Sequence, residues 1–144
     1  MVPHQDGAAR AMTLEVKFVV DKLNELKEMR SKITEFEDLL KRESGALSSE
    51  TALELKRYAA IWIQRVPETM GLAVDNLTSV NGAAAAEPVK TMALAMKGHY
   101  AELNQALRTN DRTGALRELE EINETLEAFL KAPAFGALVL QMSP

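Results

Sequence analysis

The stretch TLEVKFVVDKLNELKEMRSKITEFEDLLKR, residues 13–42, decides the fold class. Its apolar residues recur at intervals of three and four, which places them along one side of a helix. Charged residues of both signs fill the positions between them, as expected of a solvated face. The apolar positions are Val16, Val19, Val20, Leu23, Leu26, Met29, Ile33, Phe36 and Leu40. The pattern predicts a long amphipathic helix with Thr13 as its N-cap.

A second amphipathic segment is predicted over residues 49–80. Gly45 suits the left-handed turn that ends the first helix, and Ser48 or Ser49 can cap the second. Pro67 falls inside this segment. Because proline removes a backbone hydrogen bond and crowds the preceding turn, it predicts either a kink or two shorter helices that meet just before it.

Two further segments complete the helical part of the chain. The third helix is predicted to begin near Pro88, a residue suited to a first turn, and to end at about Arg108. Asp111 or Thr113 can cap the fourth helix, which Pro133 terminates. Each segment carries an apolar stripe, so each needs a partner to cover it.

Four amphipathic segments with short links predict an all-α fold, an antiparallel up-down-up-down four-helix bundle with extended N- and C-terminal tails. The predicted divisions are a flexible N-terminal arm at residues 1–12, the bundle at 13–132 and an apolar C-terminal tail at 133–144. We expect the tail to pack on the bundle or on a partner. A chain of 144 residues is long enough for one such domain without a metal or disulfide.

The composition argues against several classes of function. A formal net charge of −4 leaves no excess of lysine and arginine to neutralise phosphates, so nucleic acid is not an expected partner. Charges interrupt every helical segment before the roughly 20 apolar residues of a membrane span are reached, so an integral membrane protein is not expected. There is no cysteine, which excludes thiol chemistry. The first dozen residues contain no apolar stretch like a secretory signal.

Catalytic and metal-binding motifs are not found in the sequence. Di-iron bundles use Glu-x-x-His, but the residue three before His99 is Met96. His99 falls beside apolar positions of the third helix, which favours a histidine at the edge of the core. With no G-x-S-x-G motif and no phosphate-binding glycine loop, the chain is predicted not to be an enzyme and to hold no cofactor or metal.

The fourth helix is strongly acidic. A cluster of carboxylates can bind a cation or a basic partner, but a solvated face is the favoured interpretation. The acidic residues are Glu118, Glu120, Glu121, Glu124 and Glu127.

One face of the second helix departs from clean amphipathicity. Arg57, Ile61, Arg65 and Leu72 fall on one side, away from the stripe that holds Trp62. Apolar residues flanked by arginine on an outward face are typical of protein interfaces. These four residues are therefore the candidate protein interface.

The second helix also carries a family resemblance. Its sequence LELKRYAAIWIQRVPETMGLAVDNLTSV, residues 53–80, bears arginines and closes with Asp75, Asn76, Leu77 and Val80. It resembles the Arg-bearing helix and D-L-x-x-V-like ending of the PsbQ family. That family comprises extrinsic helical-bundle subunits on the lumenal side of photosystem II in plants, algae and cyanobacteria.

The end of the chain is similar to the same family. KTMALAMKGHYAELNQALRTNDRTGALRELEEINETLEAFL, residues 90–130, matches a Leu-containing helix, a short turn near Asp111 and an Ala-led helix. The family's closing Thr-to-Leu pattern is matched by Thr125 and Leu130. The resemblance covers about residues 53–130.

The resemblance implies a non-catalytic protein of the thylakoid lumen, peripheral to the membrane through protein contacts. Its expected partners are the photosystem II core or other extrinsic subunits, and its expected role is to help the oxygen-evolving machinery retain Ca²⁺ and Cl⁻. It implies no cofactor in the chain itself. Arg57 and Arg65 match the family's basic helix positions in type.

The alternative is a cytoplasmic helical-bundle adaptor or assembly factor that binds a partner helix in a methionine-rich groove. The chain has seven methionines. Most of them lie on core stripes, so packing is their favoured role.

Overall fold

A computed structural model of the chain describes residues 3–43, 45 and 47–142. The helices are α1 (Pro3–Arg42), α2 (Ser49–Tyr58), α3 (Arg65–Asn81), α4 (Ala83–Arg108), α5 (Arg112–Leu130) and α6 (Pro133–Met142). One π-helical turn, Ala59–Ile63, joins α2 to α3. The described residues contain no strand, so the all-α prediction is confirmed. Residues 1–2 of the predicted arm, 44 and 46 of the first connection, and 143–144 of the predicted tail lie outside this description.

Four helical arms close into a ring. α1 packs against α3 and α5, and α4 packs against the same two helices. Consecutive arms are joined by short connections, which favours antiparallel neighbours. The predicted four-helix bundle is confirmed, and α2 and the π turn extend its second arm.

The apolar stripes of the arms form one core. In α1 the predicted stripe is buried except for Val20 and Phe36, which are half-buried. Phe36 packs on Tyr58, with ring centroids 3.9 Å apart. Fully buried side chains from the other arms belong to the same core; they include Ile63, Leu77, Met96, Leu103, Leu119, Ile122 and Phe129.

The second arm changes helical register just before its proline. The Gln64 N–H donates to the Ala59 carbonyl oxygen five residues back at 2.9 Å, the bond of a π turn. Pro67 then lies in the first turn of α3, where a missing N–H removes no intrahelical bond. The arm therefore consists of two shorter helices separated by a π turn.

Two helices begin earlier than the sequence predicts. α1 begins at Pro3, a residue favoured at the first helical position, so Thr13 is not its N-cap and the helix includes most of the predicted arm. α4 begins at Ala83, so Pro88 lies inside it and not in its first turn. The alanines before Pro88 are the strongest helix formers, and they extend α4 upstream.

The apolar C-terminal segment forms α6 and packs on the bundle. Phe135 and Leu138 are buried, and the Phe135 ring lies 4.8 Å from that of Phe129, centroid to centroid. α6 also contacts α1. Of the two expected positions for the tail, packing on the bundle is the one observed for these residues.

Polar side chains set the register of α1 against α5. Arg30 Nη2 donates to Glu127 Oε2 at 2.9 Å. One turn further along α1, Asn123 Nδ2 donates to Thr34 Oγ1 at 3.0 Å, and it also donates to the carboxylate of Glu37. The residue numbers of these contacts increase along α1 and decrease along α5, as expected of antiparallel helices. A shift of one helix along the other would therefore break all of the contacts.

Arg112 ties the start of α5 to the end of α1. Its Nε donates to the Gly45 carbonyl oxygen at 2.7 Å, and its Nη1 donates to the Leu40 carbonyl oxygen at 3.1 Å. The carbonyl groups at the end of a helix have no intrahelical partner, so a charged donor there stabilises the connection.

Replacement of Arg112 by alanine should lower the free energy of unfolding by about 1–3 kcal/mol, because two charged hydrogen bonds are lost. Urea denaturation followed by circular dichroism measures the change. Arg117 is exposed on the same helix, and its replacement by alanine should change stability by less than about 0.5 kcal/mol. Equal effects of the two substitutions would contradict the role assigned to Arg112.

Candidate metal centre and interface surfaces

The turn between α4 and α5 is built by its own sequence. Asn110 has a positive φ of 52°, the left-handed conformation that closes a helix. The Asp111 N–H donates to the Ala106 carbonyl oxygen at 2.9 Å, and the Asn110 N–H donates to the Leu107 carbonyl oxygen at 3.3 Å. Asp111 also caps α5, because its Oδ1 accepts from the Gly114 N–H at 2.9 Å. Of the two predicted caps, Asp111 is the one used.

This turn brings four metal-ligating side chains together. His99 and Glu121 lie equally far in sequence from Asn110, and so do Glu102 and Glu118. Residues three apart on a helix share one face, so each helix presents one pair to the other. We call the four side chains of His99, Glu102, Glu118 and Glu121 the histidine–glutamate cluster.

The cluster is compact. His99 Nδ1 lies 3.2 Å from Glu121 Oε2 and 3.8 Å from Glu118 Oε2. One nitrogen or oxygen atom from each of the four residues lies within 4.8 Å of the others. Imidazole nitrogen and carboxylate oxygen are ligands for divalent transition metals, so this is a candidate metal centre.

The side chains of the cluster are buried to different extents. The Glu118 side chain is 12% exposed, that of His99 24% and that of Glu121 40%. The Glu118 Oε2 atom is buried and has no hydrogen-bond partner among the described residues. Burial, the largest cause, and the neighbouring carboxyl groups of Glu102 and Glu121 together raise the pKa of Glu118 to about 7. Near neutral pH this carboxyl group therefore holds a proton part of the time.

Sequence reasoning missed the cluster because it searched for Glu-x-x-His in one direction only. α4 carries the reversed order, His99-x-x-Glu102, and α5 carries Glu118-x-x-Glu121. Either direction places both side chains on one helical face. The usable signal was two such pairs placed symmetrically about the predicted turn. The predicted absence of a metal site stays a prediction.

The acidic residues of α5 are not a single solvated face, contrary to the favoured interpretation. Glu118 and Glu121 face His99 of α4, and Glu127 pairs with Arg30 of α1. Glu120 lies 3.9 Å from the Lys41 ammonium, carboxylate oxygen to nitrogen. Glu124 is the exposed member of the five.

The predicted interface residues are all exposed. Arg57 lies in α2, Ile61 in the π turn and Arg65 at the start of α3, and the Ile61 side chain is 58% exposed. We call Arg57, Ile61 and Arg65 the arginine–isoleucine patch. Leu72, 39% exposed, also lines a groove between α3 and α4.

That α3–α4 groove has an apolar and charged lining. Leu72 and Leu94 are its exposed apolar residues, and Leu94 was not singled out from the sequence. Its acidic residues come from α3 and its lysines from α4; the charged residues are Glu68, Asp75, Lys90 and Lys97. The residues that line it include no methionine, whereas Met70 and Met96 are buried in the core. The methionine-rich groove of the adaptor hypothesis is therefore not found in this part of the molecule.

The fold defines the class of the protein as an all-α four-helix bundle. Comparison with protein-family models, curated proteins and solved structures finds no match to this chain. The PsbQ resemblance and the function it implies stay predictions. Within the described residues, no helix combines the length and the apolar character that crossing a bilayer requires.

Replacement of Glu118 by glutamine should raise the melting temperature of the metal-free protein above pH 7. The raised pKa means that the folded chain binds this proton more tightly than the unfolded chain does. Stability therefore falls as the pH rises from the ordinary value of 4.5 to about 7, and the cost is fully present above that range. Glutamine removes the ionisation, so the gain should vanish below pH 4.5.

Thermal melts across this pH range, recorded with EDTA, test the prediction. A change of 1 kcal/mol corresponds to about 4 °C for a domain of this size. Glu124 is exposed on the same helix, so Glu124→Gln is the matched control and should leave the pH profile unchanged. Identical profiles for wild type and Glu118→Gln would contradict the assignment.

Proposed function

We propose that this protein is a non-catalytic docking subunit that binds the lumenal side of photosystem II through its arginine–isoleucine patch. In that role it covers part of the oxygen-evolving machinery and helps it retain Ca²⁺ and Cl⁻. The observation that carries the proposal is the exposed Ile61, placed between the exposed Arg57 and Arg65 on the second arm.

The cost of exposing Ile61 supports a docking role. Burying an isoleucine side chain contributes about 1.5–3 kcal/mol relative to leaving it in water, so this residue forgoes stabilisation in the free chain. It also lies in a π turn, a feature that is frequent at functional sites. A partner surface that covers Ile61 recovers that contribution.

The arginines give the patch a local charge opposite to that of the whole chain, which carries a net charge of −4. Arginine is enriched at the centres of interfaces because its planar guanidinium binds carboxylates bidentately. The expected partner surface is therefore acidic. The PsbQ resemblance over about residues 53–130 includes this patch and supplies the proposed partner and the proposed location, the thylakoid lumen.

A second candidate function is favoured by the α3–α4 groove. Its apolar Leu72 and Leu94, with acidic residues on α3 and lysines on α4, suit a partner helix with charges of both signs. This is the helical adaptor or assembly factor of the alternative hypothesis, and it needs no photosynthetic compartment.

The charge-reversal variant Arg57→Glu/Arg65→Glu tests the docking proposal. Binding to photosystem II cores stripped of extrinsic subunits should weaken by at least about tenfold, because like charges then face each other. Co-sedimentation against core concentration measures the affinity. Circular dichroism checks that the variant is folded.

The matched control is Lys27→Glu/Lys32→Glu, which makes the same change of charge at exposed positions of α1. It should bind as wild type does. A second variant, Leu72→Glu/Leu94→Glu, distinguishes the groove from the patch. Unchanged binding by Arg57→Glu/Arg65→Glu would contradict docking through the patch, and loss only in the leucine variant would favour the groove.

A further inference from the structure

We propose that the histidine–glutamate cluster binds one divalent transition-metal ion between α4 and α5. The inference is independent of the docking role, because the cluster shares no residue with the arginine–isoleucine patch. It concerns residues 99, 102, 118 and 121 alone.

The spacing of the donor atoms fits a single ion. Four ligands about 2.1 Å from a tetrahedral zinc ion lie roughly 3.4 Å from one another. The two separations from His99 Nδ1, 3.2 Å to Glu121 Oε2 and 3.8 Å to Glu118 Oε2, bracket that value. All four donors already lie within 4.8 Å of one another, so side-chain adjustments alone bring them to an ion.

The donor set selects the class of ion. One imidazole nitrogen with three carboxylates suits Zn²⁺, Mn²⁺ or Fe²⁺. Ca²⁺ and Mg²⁺ prefer sites made of oxygen alone and, for Ca²⁺, more numerous ligands. The imidazole of His99 therefore distinguishes this site from a purely acidic patch, which would attract cations of every kind.

Glu118 provides a separate reason to place a cation here. Its Oε2 is buried without a hydrogen-bond partner, at 3.8 Å from His99 Nδ1, beyond hydrogen-bonding distance. A buried carboxylate oxygen without a donor is costly. The ion pairs described for this cluster involve His99 and no lysine or arginine. A bound cation satisfies this oxygen and offsets the three adjacent carboxylates.

The position of the cluster allows entry and exchange of the ion. Glu102 is exposed and the Glu121 side chain is 40% exposed, so one side of the cluster opens to solvent and water can complete the coordination. Glu118 and His99 form the more buried side. All four ligands lie on helices held by the turn at Asn110, so binding should stiffen the α4–α5 hairpin.

Isothermal titration of the EDTA-treated full chain with ZnCl₂ tests the proposal, with MnCl₂, MgCl₂ and CaCl₂ titrated in parallel. We expect one Zn²⁺ per chain and much weaker binding of Mg²⁺ and Ca²⁺. Even a residue that only orients a ligand contributes about 10–100-fold to metal affinity, so His99→Asn and Glu118→Gln should each lose at least that much. The controls Glu124→Gln and His4→Asn should bind as wild type does.

Melting temperatures supply a second readout that a purely structural role does not produce. Excess Zn²⁺ should raise the melting temperature of wild type and leave that of Glu118→Gln nearly unchanged, because only wild type gains stability from binding. Absence of saturable Zn²⁺ binding would overturn the proposal. So would unchanged affinity in His99→Asn/Glu118→Gln, or Ca²⁺ binding as tight as Zn²⁺ binding.

Discussion

The burial of one face of α1 between α3 and α5 is the constraint on which the rest of the structure depends. α1 contacts both helices and closes the ring that α3, α4 and α5 leave open. Its stripe places Leu26 and Ile33 in the core without exposure. Burial of apolar area is the dominant favourable contribution to folding, and this face of α1 is part of the buried core.

The packing of α5 against its neighbours determines where its acidic side chains point. The helix is held on one side by α1, through Asn123 and Glu127, and on the other by α4. A helix fixed from two sides cannot rotate, so Glu118 and Glu121 are held toward His99. Four of the five acidic residues of α5 are divided between its contacts with α1 and with α4, and only Glu124 is exposed. The geometry of the histidine–glutamate cluster is thus a consequence of the bundle, and the turn at Asn110 sets its register.

Structural features that depend on local sequence were predictable, whereas features that depend on how helices pack against each other were not. The α1 stripe and the Asp111 cap follow from spacing and residue type, and both are observed. The π turn before Pro67 changes the helical register of the second arm, which spacing along the sequence does not report. The cluster needs two helices in register, so a search along one helix could not find it. The four residues of the interface prediction are exposed, but the groove that Leu72 helps to line is made with α4, which spacing along one helix does not report.

The two candidate sites lie in different parts of the bundle. The arginine–isoleucine patch lies on the second arm, and the histidine–glutamate cluster lies between α4 and α5. Both require a single, cooperative core to hold them in place. Native-state hydrogen exchange of buried backbone amides tests that core most directly. The account predicts that buried amides of α1, α3, α4 and α5 exchange with one shared opening free energy, equal to that of global unfolding. Exchange of the α1 amides at a distinctly lower free energy, while α3, α4 and α5 stay protected, would contradict it.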